Sequence, residues 1–287
     1  DCLLSRGLGD VYKRQLPDLT KDATDRNRTS PFAFTGNKFE FRMVGSKDSI
    51  AAPNIVLNTI VAEAFAEACD VLEKADDFEM AVHDLIKKYL TEHQRIIFNG
   101  NGYSDAWVEE AERRGLPNIK SMVDAIPALT TDKAIGLFEK FHVFTKAELE
   151  SRAEIQYETY AKAINIEAKA MIDIASKQII PAVIKYTKSL ADTVNSVTAA
   201  GAEASVQSEL LAETSGLLSD TKVALQKLID LDKKSEEVPE GTELAHYFHE
   251  EIVPAMAELR APVDALEMIV DLSLIHISEP TRQEAIS

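Results

Sequence analysis

Cysteine and tryptophan are scarce in this chain, basic residues are outnumbered, and long apolar runs are missing. Two cysteines occur in 287 residues. Cys2 lies in a terminal stretch set apart below, so Cys69, embedded in a helical pattern, has no native intrachain partner. A disulfide scaffold is thereby excluded, and the thiol usage fits a reducing cytoplasm. No run of about 18 apolar residues appears, which argues against a membrane span. Lysine and arginine total 31 against 48 aspartates and glutamates, a formal net charge of -17. With no long basic patch, the chain is a poor match for a nucleic-acid backbone. A P-loop, a Rossmann glycine pattern and a serine-nucleophile elbow are also missing. Hydrophobic residues, by contrast, make up 45% of the chain. That is ample for a core and marks a globular protein rather than a disordered one.

The two ends do not share the periodicity beside them. Asp1 to Gln15 (DCLLSRGLGDVYKRQ) and about Ser273 to Ser287 (SLIHISEPTRQEAIS) resemble translated sequencing-adapter read-through; native frayed termini are the alternative. They carry +1 (Arg6, Lys13, Arg14 against Asp1, Asp10) and -1 (Arg282 against Glu279, Glu284), leaving the whole acidic excess to the interior. The expected division is a non-native 1–15, a first region 16–144, a helical region 145–271 and a non-native 272–287.

The chemistry concentrates in Arg26 to Val44, RNRTSPFAFTGNKFEFRMV. Charged and apolar residues alternate from Lys38 to Val44, and side chains two apart share a strand face. Lys38, Glu40 and Arg42 therefore point one way, and Phe39, Phe41 and Met43 the other. Cation, anion and cation facing one space, with Arg28 upstream across a turn at Thr35-Gly36-Asn37, suit a site for phosphate and a divalent metal. A solvated surface strand with a Lys-Glu-Arg ladder is the bland alternative.

The remainder reads as helix. Ser49 to Lys74 opens with Pro53 in a favourable first-turn position. Asp76 and Glu79 suggest a capping box before a helix from Phe78 to Ile97, and Phe98-Asn-Gly-Asn-Gly-Tyr103 then breaks the pattern. Ser104 caps a short helix that ends at Arg113-Arg114-Gly115. Thr145 and Glu148 form another capping box. After it, Tyr157, Tyr160, Ile164, Ala168, Met171, Ala175, Ile179, Val183, Tyr186, Leu190, Val194 and Val197 make one continuous apolar stripe. Helical to Ala200, it would run roughly 80 Å, kinked by Pro181. Such a stripe requires partners. Leu210, Leu217, Leu225 and Leu228 supply one, and Leu244, Phe248, Ile252, Leu259, Val263, Leu266 and Val270 another, for three antiparallel helices.

Other reactive side chains read as packing. His246 and His249, one turn apart beside Glu250, could bind a transition metal, but a partly exposed helix face explains them without a third ligand. Trp107 and the tyrosines at 157, 160 and 186 fall on helical stripes and read as core.

NRTSPFAFTGNKFEFR resembles the phosphate-site segment of glutamine synthetases, where Asn-Arg-Ser/Thr precedes a strand carrying Lys/Arg-x-Glu-x-Arg. DSIAAPNIVLNTIVAEA resembles the loop and helix that follow. The resemblance, closest to the type III large-subunit bacterial form, continues through IIFNGNGYSDAWVEEAERRGLPN and INIEAKAMIDIASKQIIPAVIKY. It implies a mainly α chain: a short β remnant of the catalytic domain (16–144) followed by a long-helix antiparallel bundle (145–271).

It also implies ATP-dependent joining of ammonia to glutamate through a γ-glutamyl phosphate, with magnesium or manganese, in a cytoplasmic dodecamer of two stacked hexameric rings. By the same resemblance Glu40 is a metal ligand, Arg42 contacts the phosphates in transfer, Arg28 contacts substrate carboxylate or phosphate, and Lys38 lies near the nucleotide. One departure stands out. The better-known bacterial form has an arginine where this chain has Ala33.

Overall fold

The computed structural model describes residues 32–34, 39–41 and 49–270. Packing divides the chain into two compact units between Ile119 and Lys120. The fold is mainly α, with a single two-stranded antiparallel sheet among the described residues.

In the first unit, β1 (Phe32–Phe34) pairs with β2 (Phe39–Phe41) in the register Phe32 to Phe41, Ala33 to Glu40 and Phe34 to Phe39. The sequence suggests a strand from Lys38 to Val44; within the described residues its core is Phe39–Phe41. Helix α1 spans Ala51–Leu72. The Ala51 amide donates to Ser49 Oγ at 3.2 Å, and Pro53 falls in the first turn, where a missing N–H breaks no helical bond. Helix α2 spans Phe78–Glu92, and its cap is Asp77 rather than Asp76, the Asp77 carboxylate accepting from the Met80 amide at 3.0 Å. The capping-box reading was therefore one residue out of register: Asp77 is the residue in extended backbone, the conformation a cap needs. Helix α2 also stops at Glu92, short of Ile97, and a tighter turn covers Gln94–Ile96. Helix α3, Asp105–Arg113, begins at Ser104, whose hydroxyl accepts from the Trp107 amide. It ends where Gly115 turns left-handed at φ 70°, a conformation glycine adopts without steric cost.

The second unit is the bundle. Short helices α4 (Met122–Ala125) and α5 (Asp132–Lys140), joined by a tight turn at Ile126–Thr130, precede α6 (Lys146–Ile174). Thr145 starts α6 with both halves of a capping box: the Glu148 amide donates to Thr145 Oγ1, and the Thr145 amide donates to the Glu148 carboxylate at 2.8 Å. The long stripe is not one uniform helix. A π turn at Ala175–Ile179 separates α6 from α7 (Ile180–Ala199). Proline lacks an N–H and its ring crowds the carbonyl four residues back. For Pro181 that carbonyl belongs to Lys177, inside the widened turn. The same device recurs on the third strand of the bundle, where α9 (Thr242–Tyr247) passes through a π turn at Phe248–Ile252 into α10 (Val253–Glu267). There Pro254 faces Glu250. In both places the wider turn accommodates proline without ending the helix.

Helix α8, Ser205–Ser235, packs against α7 and α10. Its buried positions are Thr214, Thr221, Leu225, Leu228 and Ser235, whereas Leu210 and Leu217 are only half-buried. Small threonines thus occupy part of a seam assigned to leucines, and Thr221 satisfies its hydroxyl by donating to the Leu217 carbonyl at 2.7 Å. One core cluster joins Ala161, Ala168 and Ala175 to Leu225, Leu228, Phe248, Ile252 and Leu259. A second joins Ile179, Val183, Leu266 and Val270. Each large side chain so buried contributes roughly 1.5–3 kcal/mol. Val123 and Ile126 complete a third cluster with Ala153, Tyr157 and Ala245, tying the short helices to α6.

Candidate functional site

Glu40 is the one expected site residue that the structure describes. It sits at the centre of β2, half-buried, opposite Ala33 of β1. Alternation along β2 puts it on the face opposite to positions 39 and 41. A short strand held by one antiparallel partner fixes the backbone of such a carboxylate, and its hard oxygens suit magnesium or manganese. Arg28, Lys38, Arg42 and the turn at 35–37 lie outside the described residues. The position where the better-known bacterial form carries an arginine, Ala33, is the direct cross-strand neighbour of Glu40.

Among the described residues no three His, Cys, Asp or Glu side chains gather as a metal group. His246 Nδ1 lies 3.5 Å from Glu250 and His249 Nδ1 lies 3.2 Å from the Tyr160 hydroxyl. The tyrosine hydroxyl is held above its usual pKa, first by burial and then by Glu167 and Asp124. The first is a contact one helical turn along the same segment, on a partly exposed face, and the second runs across the bundle. Tyr157 is buried, and Tyr160 and Tyr186 pack half-buried against the core clusters.

Reading the arginines of Arg113-Arg114-Gly115 as mere helix-end charges misses what Arg114 does. Its guanidinium donates to the carbonyls of Arg95 at 3.2 Å and Ile97 at 2.8 Å and to the Glu110 carboxylate at 2.5 Å. It also lies 5.5 Å from the centre of the Trp107 ring, which stacks on Phe98 at 4.1 Å. One side chain thereby ties the end of the α2 segment to α3. Arg113 grips the same carboxylate with two bonds, at 2.6 and 2.7 Å. The Arg113 bonds first, then Arg114, hold Glu110 down from 4.5 to about 2. A Cβ on Gly100 would stand 2.8 Å from the tip of the Phe98 ring, so a larger residue there would displace that ring. The sequence signal was available in two arginines at three and four residues from Glu110, the spacing that brings helical side chains together.

Residues 81–198 match the glutamine synthetase C-terminal domain. Over 264 residues the chain is 40% identical to the type-3 glutamine synthetase of Dictyostelium discoideum, an alignment covering 89% of this chain and 36% of that one. The chain belongs to the glutamine synthetase family. Two bacterial glutamine synthetases are also similar. The Butyrivibrio fibrisolvens protein is 36% identical over 96% of this chain and 39% of its own, and the Bacteroides fragilis (strain YCH46) protein 31% identical over 90% and 37%. The chain thus spans little more than a third of the length of these glutamine synthetases. Within it, the match to the family's C-terminal domain runs from α2 through α3 and α6 to the last turn of α7.

Proposed function

We propose that this chain is the C-terminal portion of a type III glutamine synthetase whose parent joins ammonia to glutamate with ATP through a γ-glutamyl phosphate. The observation that carries the reading is the 40% identity over 89% of the chain to a type-3 glutamine synthetase. In this reading residues 16–144 are the end of the catalytic domain and 145–271 its helical appendage, with adapter-derived sequence at 1–15 and 272–287. The parent works in the cytoplasm as stacked rings, a dodecamer. Glu40 supplies one oxygen ligand to magnesium or manganese. The bound ion would neutralise phosphate charge during transfer. Arg42 grips the transferring phosphate, Lys38 lies by the nucleotide, and Arg28 meets substrate carboxylate or phosphate; a planar guanidinium can hold two such oxygens at once.

One carboxylate does not make a complete metal shell, so the 287-residue chain alone forms no glutamine. Measured glutamine synthesis by the isolated chain would contradict this. In the full-length parent, Glu40→Gln keeps the side-chain shape and removes the charge; metal-dependent turnover should fall by roughly a hundredfold or more, and near-normal activity would take Glu40 out of the metal shell.

A second reading, a helical assembly module, draws on apolar residues left exposed along α6 and α7, namely Ile155, Ile166 and Ile184. Sedimentation of the parent with and without 145–271 separates the two. Intact rings without the helices would mean that they serve their own fold alone.

A further inference from the structure

Helix α6 carries a second apolar stripe besides the one it turns to the bundle. Ile155, Thr159, Ala163, Ile166, Ala170 and Ile174 are all exposed, the three isoleucines by 56%, 70% and 45%. At 3.6 residues per turn the six fall within an arc of about 100°. The buried Ala153, Tyr157, Ala161 and Ala168 lie on the far side of the helix. Thr159 donates its hydroxyl to the Ile155 carbonyl at 2.7 Å, so the stripe holds no unmet donor. Charges keep to its margins. Along one edge Lys162 pairs with Glu158 and Lys177 with Asp173; Glu167 lies on the other edge, and Arg152, held over the Phe144 ring, precedes the first isoleucine. A continuous apolar strip facing water and rimmed by polar residues marks a contact surface.

We propose that this stripe docks on the same stripe of a second copy of the chain, the two α6 helices lying antiparallel about a two-fold axis that passes between Ile164 and Asn165. The steps along the stripe are 4, 4, 3, 4 and 4 residues, a spacing that reads the same in both directions. About that axis Ile155 of one copy meets Ile174 of the other, Thr159 meets Ala170, and Ala163 meets Ile166. A small side chain thus faces a large one beside the axis, as close helix packing requires. The charged edge is self-complementary too: Glu158 of each copy comes within two residues, about 3 Å along the axis, of the level of Lys169 of the other. A two-fold contact sets one patch against its own equivalent. A segment from elsewhere in a longer chain would have no need of a palindromic spacing. Two identical rings stacked face to face are related by two-fold axes of this kind, so the pairing puts α6 between the rings. The inference deepens the assembly reading given above and rests on it, and it involves none of the proposed catalytic residues.

The test uses the 287-residue chain with Cys2 and Cys69 changed to serine. Ile155→Cys and Ile174→Cys are made singly and together, and each protein is treated with a short bis-maleimide. Within one chain the two positions stand roughly 28 Å apart, beyond the reagent's span. The double variant should cross-link into dimers, and neither single variant should. Dimers from each single variant would mean parallel helices, and none from the double variant would mean that something other than a second copy covers the stripe; either result overturns the proposal. Sedimentation of the unmodified chain should show a monomer–dimer equilibrium. Ile166→Lys, which sets two charges beside the axis, should weaken that association at least roughly tenfold. Undiminished association of Ile166→Lys would also overturn the proposal. Because Ile166 is 70% exposed, the variant should melt with the unmodified chain; if it misfolds, the cross-linking decides. Ring assembly of the parent without 145–271 is measured separately. Rings lost on that deletion with no cross-link here sink this pairing and spare the assembly reading, whereas a cross-link with rings intact after the deletion does the reverse.

Discussion

The helices before Ile119 and those after Lys120 are built from similar apolar residues, yet they bury them very differently. Among the described residues Thr59 is the one fully buried side chain of the first unit, while the second holds Phe248, Ile252, Leu225, Leu228, Leu259 and Leu266 almost completely out of water. In the second unit, α6 with α7, α8, and α9 with α10 supply each other's apolar partners. In the first, α1 has more apolar surface than α2 covers. Amphipathic pattern makes a helix, and a core forms only where complementary faces are present together.

The widest separation between the two regions should come from paired truncations. Phe248→Ala removes a ring at the centre of the bundle and should cost about 3–5 kcal/mol. Phe65→Ala, on α1, should change the stability of this chain by less than about 0.5 kcal/mol. Denaturant unfolding of both variants checks this, and equal losses would erase the contrast.

A smaller effect is expected where the bundle begins. Thr145→Ala deletes one half of the capping box at α6 and should cost about 1 kcal/mol. Thermal melts compare it with the conservative Thr145→Ser, which keeps the hydroxyl and should lose much less. A melting point for Thr145→Ala indistinguishable from the parent chain would mean that packing alone fixes where α6 starts.

The finest test falls in the less buried region and uses its acid–base chemistry. Glu110 ionises more readily in the folded chain than its ordinary value of 4.5, at about 2, because Arg113 and Arg114 bond to its charged form. A depressed folded value means that the contribution is complete above the ordinary value and is lost as pH falls from 4.5 toward 2. Trp107, the single tryptophan, stands beside Arg114 and reports the change. Its fluorescence should shift through that acid window, and the step should vanish in Glu110→Gln. A titration with the same step in both proteins would assign it elsewhere.

Much of the architecture was readable from local chemistry. The capping box of Thr145 and Glu148, the Ser104 cap and the left-handed Gly115 depend on residues within a turn of one another, so their spacing alone reveals them. The three apolar stripes of the bundle were legible for the same reason. Asp77 replaced Asp76 as a cap because two adjacent aspartates satisfy the same rule and backbone geometry selects between them. For the site, the resemblance offered a pattern of Arg28, Lys38, Glu40 and Arg42. Of these the structure describes Glu40, and the strand register sets Ala33 across from it.

The sequence by itself determined that this protein would be helical and where most of its helices begin. Those properties follow from hydrogen bonds and side-chain periods within a few residues. Only the tertiary structure decided that threonines fill part of the α8 seam and that Arg114 bridges from α3 to the end of the α2 segment. Each depends on the distance and shape of a neighbour far away in sequence, and no local pattern carries that information.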